Sequence, residues 1–400
     1  MSTNMIERGR PEMDTKGYPQ GLGHDSLRDQ FVIAEMNRVV DYYGNHPSFA
    51  MFCIGNELGN SDFAVMKRWV ADLKNRDPRR LYAVSTARTI TEVDDYCATH
   101  YIDGVGRTRG LNGPHTNWNF EEQYAQMDIP IIAHEIGQWP VYPRWSEIAK
   151  YTGVLKARNL EKFKGQAEAN GIASQSDAFA DASGALNQIM YKYEIESFLR
   201  TPSCAGVQLL SMQDYQGQGE ALIGWLDAHW ESKGITTPEK FRMHYNTTVP
   251  LLLMDRYVWE SHEELKAKMQ LSHHGSSALK GEISWMIFDE DGREYAHGFV
   301  EKQRFAVGSL SDLGEIRIDL NRFYKATKLL ISMKVKGTDF KNQWPVWVYP
   351  AKEASVNNDD IIVADELDTA TLEQLRSGAK VLLQAHQLGT DETAVKALFY

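Results

Sequence analysis

The chain has 400 residues, 42% hydrophobic and 24% charged, the composition of an ordinary globular protein with room for two or three domains. A formal net charge of −11 argues against nucleic acid as the main partner, because that partner calls for a basic stripe. No run of about 18 apolar residues occurs, so no membrane-spanning helix is predicted, and the polar, Gly- and Pro-punctuated stretch Met1 to Gly23 does not read as a signal peptide.

Along the chain, Phe31, Val32, Met36, Val39 and Val40 recur at helical spacing and predict a helix over 29–43. Asn45-His46-Pro47-Ser48 breaks it, and Phe49 to Ile54 reads as a buried strand closed by Asn56-Glu57. A second helix is predicted from Asp62 to Asn75, with Phe63, Met66, Trp69, Val70 and Leu73 on one face. Strands follow at 81–85, 96–101, 131–135 and 204–212, and helices at 158–170 and 177–199. The last helix presents Phe179, Ala182, Leu186, Ile189, Met190 and Tyr193 as its apolar face. Strands alternating with helices mean parallel βα units, so the first region is α/β.

After Pro250 the texture changes to short alternating segments such as 265–272, 282–288, 315–319 and 329–335, the pattern of an antiparallel β-sandwich ending near Pro350. Beyond a linker come Ile361 to Ala364, a helix near 369–376 and Val381 to Leu383. This single β-α-β unit is too small to bury both its faces, and reads as the start of a further α/β domain. The domain expectation is therefore 1–248 for the parallel region, 249–350 for the sandwich, which is immunoglobulin-like, and 351–400 for the opening of a truncated C-terminal domain. Cys53, Cys97 and Cys204 lack metal-ligand spacing and read as small buried apolar residues.

Two of the parallel strands end in a glutamate, Glu57 and Glu135. Parallel strands deliver their carboxyl ends to one side, where such carboxylates can converge on one substrate bond. Hydrolysis of a glycosidic bond needs such a pair. One carboxyl protonates the leaving oxygen, and the other attacks the anomeric carbon or activates water. Asn56 is placed to hydrogen-bond a neighbouring sugar hydroxyl, and His100 and Tyr101 end a strand of the same series. Trp139, Tyr142 and Trp145 offer rings for sugar faces, Gln213 and Asp214 close the last strand, and Asp227 and Trp230 are rim candidates. His134 precedes Glu135, but the run His134 to Gln138 lacks the second histidine of HExxH, so no metal is expected. Gly217-Gln218-Gly219 is too short for a phosphate loop.

The run Asn45-His46-Pro47-Ser48 followed by Asn56-Glu57 resembles the acid/base signature of glycoside hydrolase family 2, the β-galactosidase and β-glucuronidase group. Pro130 to Glu135 is similar to the family's nucleophile strand. The resemblance implies strands four to eight of an incomplete (β/α)8 TIM-type barrel, a chain that is an internal piece of a longer protein, and a retaining double displacement. In it Glu57 is the acid/base and Glu135 the nucleophile. It further implies an exo-acting enzyme on a β-glycoside of plant or host origin, with a carbohydrate partner, no cofactor, no membrane, and either homo-oligomers or upstream domains. An exported parent protein, periplasmic or extracellular, fits the same group. Many relatives carry tryptophan where Gln213 and Asp214 stand, which points to a different substrate pocket. The competing expectations are a catalytically silent carbohydrate-binding fragment lacking the first half of the barrel, and an α/β enzyme using Asp214 in place of Glu57.

Overall fold

A computed structural model of the protein describes residues 21–59, 61–87, 90–102, 104–215, 222–351 and 360–384. The Gly217-Gln218-Gly219 stretch lies outside the described residues.

The first region begins with α1 (Ser26–Tyr43), β1 (Met51–Asn56), α2 (Phe63–Arg76) and β2 (Leu81–Thr86). Asp25 caps α1 by accepting from the Arg28 N–H at 3.0 Å, and Asp62 caps α2 through the Val65 N–H at 3.1 Å. Val32, Met36 and Val40 on α1 and Met66, Trp69, Val70 and Leu73 on α2 are buried in one cluster with Ile54 and Tyr82. Pro78 follows α2 directly after Asp77, a residue driven out of helical geometry by the proline. Phe31 is 62% exposed, so the buried stripe of α1 is narrower than the sequence pattern.

Next come β3 (Cys97–Thr99), the two-residue hairpin strands β4 (Tyr101–Ile102) and β5 (Gly106–Arg107), α3 (Glu121–Tyr124) and β6 (Ile131–Ile136). The region continues with α4 (Arg158–Ala169), α5 (Ser176–Leu199), β7 (Cys204–Leu209) and α6 (Pro238–Arg242). β1 pairs with β2, and β6 pairs with β3 and β7, all parallel. The Asp95 N–H donates to the Tyr82 carbonyl at 2.9 Å and the Ala87 N–H to Ala98 at 2.8 Å, which stitches β2 to β3 in the same direction. The result is a parallel array β1-β2-β3-β6-β7, with every carboxyl end on one side.

α5 buries only part of the face read from the sequence, Tyr193 at its C-terminal end. Ala180, Gly184, Asn187, Tyr191, Glu194, Ile195 and Phe198 are buried, while Leu186 and Ile189 are 48% and 44% exposed. The inward stripe contains Asn187 and Glu194, so apolar periodicity selects a face turned partly away from the buried one. Both are satisfied. Asn187 donates to the Trp139 carbonyl at 2.5 Å and accepts from the Trp225 indole at 3.0 Å.

The second region holds β8 (Thr248–Leu253), β9 (Val258–Glu260), β10 (Glu264–His273), β11 (Leu279–Asp289), β12 (Glu294–Phe305), β13 (Ser309–Asp319), β14 (Thr327–Val335) and β15 (Lys341–Tyr349). They form two sheets, β13-β10-β8 and β12-β11-β14-β15-β9, antiparallel apart from the β9–β15 pair. Alternate residues Leu265, Ala267, Met269 and Leu271 of one sheet share a core with Ile283, Ile287, Ile331, Met333, Trp344, Val346 and Val348 of the other. Finally, β16 (Ile361–Ala364), α7 (Thr369–Arg376) and β17 (Lys380–Leu383) make a parallel pair with its crossover helix. Cys53, Cys97 and Cys204 are free thiols, and burial pushes them up to about 11, 12 and 11 respectively. Among the described residues no helix is long and apolar enough to cross a membrane.

Candidate active site

The carboxyl ends of β1, β2 and β6 share an uncommon backbone feature. Glu57, Ala87 and Glu135 have φ of 50°, 60° and 55°, in the left-handed region that costs a non-glycine residue about 1–2 kcal/mol. Around Glu135 the ladder between β6 and β7 carries a bulge, because His134 and Glu135 together oppose Gln208 alone. In a regular strand His134 and Glu135 would point to opposite faces. The bulge and the left-handed turn bring both to one side, with His134 Nε2 3.5 Å from Glu135 Oε1. The Glu57 N–H donates to the Thr86 carbonyl at 3.1 Å, so the β1–β2 ladder continues through the glutamate itself.

His100, just past β3, stands between the two carboxylates. Its Nε2 is 3.8 Å from Glu57 Oε1, and its Nδ1 is 3.7 Å from Glu135 Oε2. The Glu57 and Glu135 side chains are 18% and 16% exposed, sunk in the array yet open to solvent. Asn56 joins the same group: its Oδ1 accepts from the Thr86 hydroxyl and lies 3.0 Å from His134 Nε2. His134 Nδ1 is 2.9 Å from Gln208 Oε1, and the His100 and His134 rings stack at 6.0 Å.

A second layer fixes Glu135. Arg109 Nη1 donates to the Glu135 carbonyl at 2.6 Å and to Glu135 Oε2 at 3.2 Å, and Gln138 Nε2 stands 3.5 Å from the same oxygen. Burial pulls the Arg109 guanidinium below its ordinary value, and the Glu135 charge opposes that pull. Glu194 of α5 accepts from the Gly110 N–H at 2.7 Å, the Gly137 N–H at 2.9 Å and the Trp139 indole at 3.1 Å. It thereby clamps the Arg109 loop to the loop after Glu135. Burial pushes the Glu194 carboxyl up, and the Gly110 and Gly137 amides resist. Gly137 has φ 78°, and a Cβ there would stand 1.7 Å from Tyr191 Cε1, so only glycine fits this turn.

Of the residues singled out from sequence, Asn56, Glu57, His100 and Glu135 converge. Tyr101 follows His100 into the β4–β5 hairpin, half-buried, with its N–H on the Thr99 hydroxyl at 3.1 Å. Trp139 is 7% exposed and its indole is taken by Glu194, so it packs the core and offers no ring face to a sugar. Tyr142 and Trp145 pack edge to face at 5.7 Å, and Tyr142 also meets Phe179 at 5.2 Å. Asp214 is 4% exposed and holds Lys233 at 2.6 Å and the Gly224 N–H at 2.9 Å. Burial raises its carboxyl and Lys233 lowers it, so this pair braces the segment after β7 and does not present a group to substrate. Gln213 is half-buried and bridges Leu226. Asp227 is buried against Lys150, and Trp230 is 60% exposed. Arg109, Glu194 and Gln208 carry no motif, and the signal that finds them is the fold.

Residues 11–155, which contain both glutamates, match the family described as glycosyl hydrolases family 2, TIM barrel domain. Residues 263–350 match a domain of unknown function. The chain is similar in structure to a β-D-mannosidase from Dictyoglomus thermophilum, at 13% identity and a TM-score of 0.49, over 80% of this chain and 41% of that one. It is similar to an exo-chitosanase from Amycolatopsis orientalis, at 13% identity and 0.49, over 84% and 40%. A β-glucuronidase from Parabacteroides merdae is similar at 12% identity and 0.37, over 84% and 40%. The chain thus spans about two-fifths of the length of these proteins. No curated protein matches the sequence. The resemblance to glycoside hydrolase family 2 stands on the match across the site.

Proposed function

We propose that the chain carries the reacting carboxylates of a retaining glycoside hydrolase, with Glu135 as nucleophile and Glu57 as general acid/base. The family relation supports a glycosidase acting on β-glycosides, and the roles follow the two strand-end motifs. The observation that carries the reading is the placement of Glu57 and Glu135 on the two nitrogens of one imidazole, each on a strained strand end. In this reading a Glu135 oxygen, aimed by Arg109, bonds to the anomeric carbon as the glycosidic C–O bond breaks. Glu57 gives its proton to the leaving oxygen. Water then attacks the same anomeric carbon, Glu57 takes the water's proton, and the bond from that carbon to the Glu135 oxygen breaks to release the carboxylate. Asn56 and Tyr101 are proposed to face the sugar, a non-reducing terminal unit of a plant or host oligosaccharide.

In the same proposal the array β1-β2-β3-β6-β7 represents strands four to eight of a (β/α)8 barrel, over 1–248. The sheets over 249–350 make the β-sandwich, and 351–400 opens an α/β domain. One observation favours a second reading. A complete barrel takes about eight strands, and among the described residues β1 and β7 have no further strand on their outer sides, which suits a carbohydrate-binding piece without turnover. A panel of nitrophenyl β-glycosides separates the two. The hydrolase reading expects release of nitrophenol with retained anomeric configuration, abolished in Glu135→Ala and in Glu57→Ala. Glycoside binding without release would sink it in favour of the silent form.

A further inference from the structure

We propose that His100, His134 and Glu135 form a binding site for a divalent transition metal of the zinc class, and that the metal and a glycoside compete for Glu135. The competition rests on the hydrolase reading, and the metal site does not. One ligand atom from each of the three residues lies within 4.8 Å of the other two. Ligands held at about 2.0–2.1 Å around a tetrahedral ion stand roughly 3.4 Å apart. His134 Nε2 to Glu135 Oε1 is 3.5 Å, and His100 Nδ1 to Glu135 Oε2 is 3.7 Å. Each imidazole thus already stands near that spacing from one oxygen of the Glu135 carboxylate, and the three side chains need to draw in from a spread of up to 4.8 Å to close on one ion.

An independent observation points to a cation. Gln208 Oε1, 2.9 Å from His134 Nδ1, can only accept, so the ring proton sits on Nδ1 and Nε2 presents its lone pair. Nε2 then faces Asn56 Oδ1 at 3.0 Å, an oxygen that already accepts from the Thr86 hydroxyl. Two acceptors in contact repel unless a cation serves both, a second ring proton between them or a metal ion bound by both from one side. Gln208 here plays the part of the outer partner that fixes tautomer and ring orientation in histidine–metal sites. Asn56 Oδ1 is a neutral fourth donor on the same side. Two imidazoles and one carboxylate select zinc, nickel or copper over magnesium and calcium. The HExxH spacing is missing because the second histidine comes from the end of β3, 34 residues upstream of His134. A metal bound to Glu135 draws charge from the carboxylate and weakens it as a nucleophile, and it takes up the space in which an anomeric carbon would stand.

The test uses the full chain, freed of metal with a chelator and then titrated with Co2+ as an absorbing probe. The expected result is saturable visible absorption at one Co2+ per chain, displaced by one equivalent of Zn2+. Gln208→Ala should weaken the affinity about 10- to 100-fold, and His134→Ala or His100→Ala at least as much. His262→Ala, at an exposed imidazole beside Glu260, should leave it unchanged. No saturable Co2+ binding, or binding indifferent to the His100 and His134 changes, overturns the site. If His134→Ala does not fold, Gln208→Ala, on an exposed side chain, decides the point. Nitrophenyl β-glycoside hydrolysis suppressed by Zn2+ and restored by chelator supports the sharing of Glu135. Undiminished hydrolysis at saturating Zn2+ overturns it. Co2+ binding without any hydrolysis in chelator sinks the hydrolase reading and leaves the metal site standing.

Discussion

The strand-end glutamates make a prediction about stability that needs no substrate. At an ordinary strand position glycine is less stable than alanine by roughly 0.5–1 kcal/mol, because it loses more backbone freedom on folding. Glu57 and Glu135 sit at φ 50° and 55°, where a Cβ costs about 1–2 kcal/mol that glycine does not incur. The second effect exceeds the first, so Glu57→Gly should be more stable than Glu57→Ala by up to about 1 kcal/mol, and likewise at Glu135. Comparing alanine with glycine at one position cancels the loss of side-chain partners such as Arg109, which both variants share. Two alanines, one within β2 and one just past its end, supply the calibration. Ala83 and Ala87 are 2% and 4% exposed, and only Ala87 has positive φ, at 60°. Each loses one buried methyl group on change to glycine, worth about 0.8 kcal/mol, so Ala87→Gly should cost less than Ala83→Gly by the strain alone. Urea unfolding followed by circular dichroism and tryptophan fluorescence gives the midpoints. Alanine more stable than glycine at 57 and 135, by the margin seen at 83, would refute strain at the site.

Three further outcomes are expected. Gly137→Ala combines φ 78° with a Cβ 1.7 Å from Tyr191, a ring only 1% exposed, and should cost about 2–5 kcal/mol in urea unfolding. Lys192→Met leaves the fully buried Glu196 with Arg200 at 3.7 Å as its one cation among the described residues, and should cost about 3–5 kcal/mol. The added change Glu196→Leu should return much of that loss. Burial lowers the His244 imidazole from 6.5 to about 3, so between those values the unfolded chain binds the extra proton. Stability from this group is therefore complete above about pH 6.5 and falls by roughly 1.4 kcal/mol per pH unit below it. His244→Phe, packed against Phe241, should flatten the acid limb of a stability-against-pH curve. An unchanged slope would place His244 in water.

What the sequence makes legible is whatever rests on one element at a time. β1 and β6 are apolar runs that stop at a polar residue, and α2 repeats its buried residues at three and four, so their type and ends follow from pattern. α5 defeats that reading because Asn187 and Glu194 are buried as hydrogen-bonding groups, while Leu186 and Ile189 face outward. β12 is a strand at the sheet edge, exposed along most of its length, and has no apolar period to find. The site divides in the same way. Asn56, Glu57 and Glu135 stand at strand ends, where parallel topology alone brings groups together. Arg109 and Gln208 reach Glu135 and His134 from a loop and from an exposed strand position, and no local spacing marks either. His134 draws attention only for a motif it does not complete.

The loop that carries Arg109 links the two regions of the fold. Glu194 holds it at Gly110, and two residues further along α5, on the other side of the helix, Glu196 accepts from Asn342 Nδ2 at 2.8 Å and the Trp344 indole at 3.0 Å. The same loop is tied again at Thr116, whose hydroxyl donates to the Leu252 carbonyl of β8 at 2.7 Å and accepts the Met254 N–H at 2.8 Å. One helix and one strand thus fix the segment from both ends, and the strand belongs to the antiparallel sheets. The parallel strands supply Glu57, His100 and Glu135. The position of the guanidinium that orients Glu135 depends on how those sheets pack against α5. This coupling gives a physical reason for the two regions to occur together: the cation beside Glu135 is held in part by a sheet that contributes none of those three side chains.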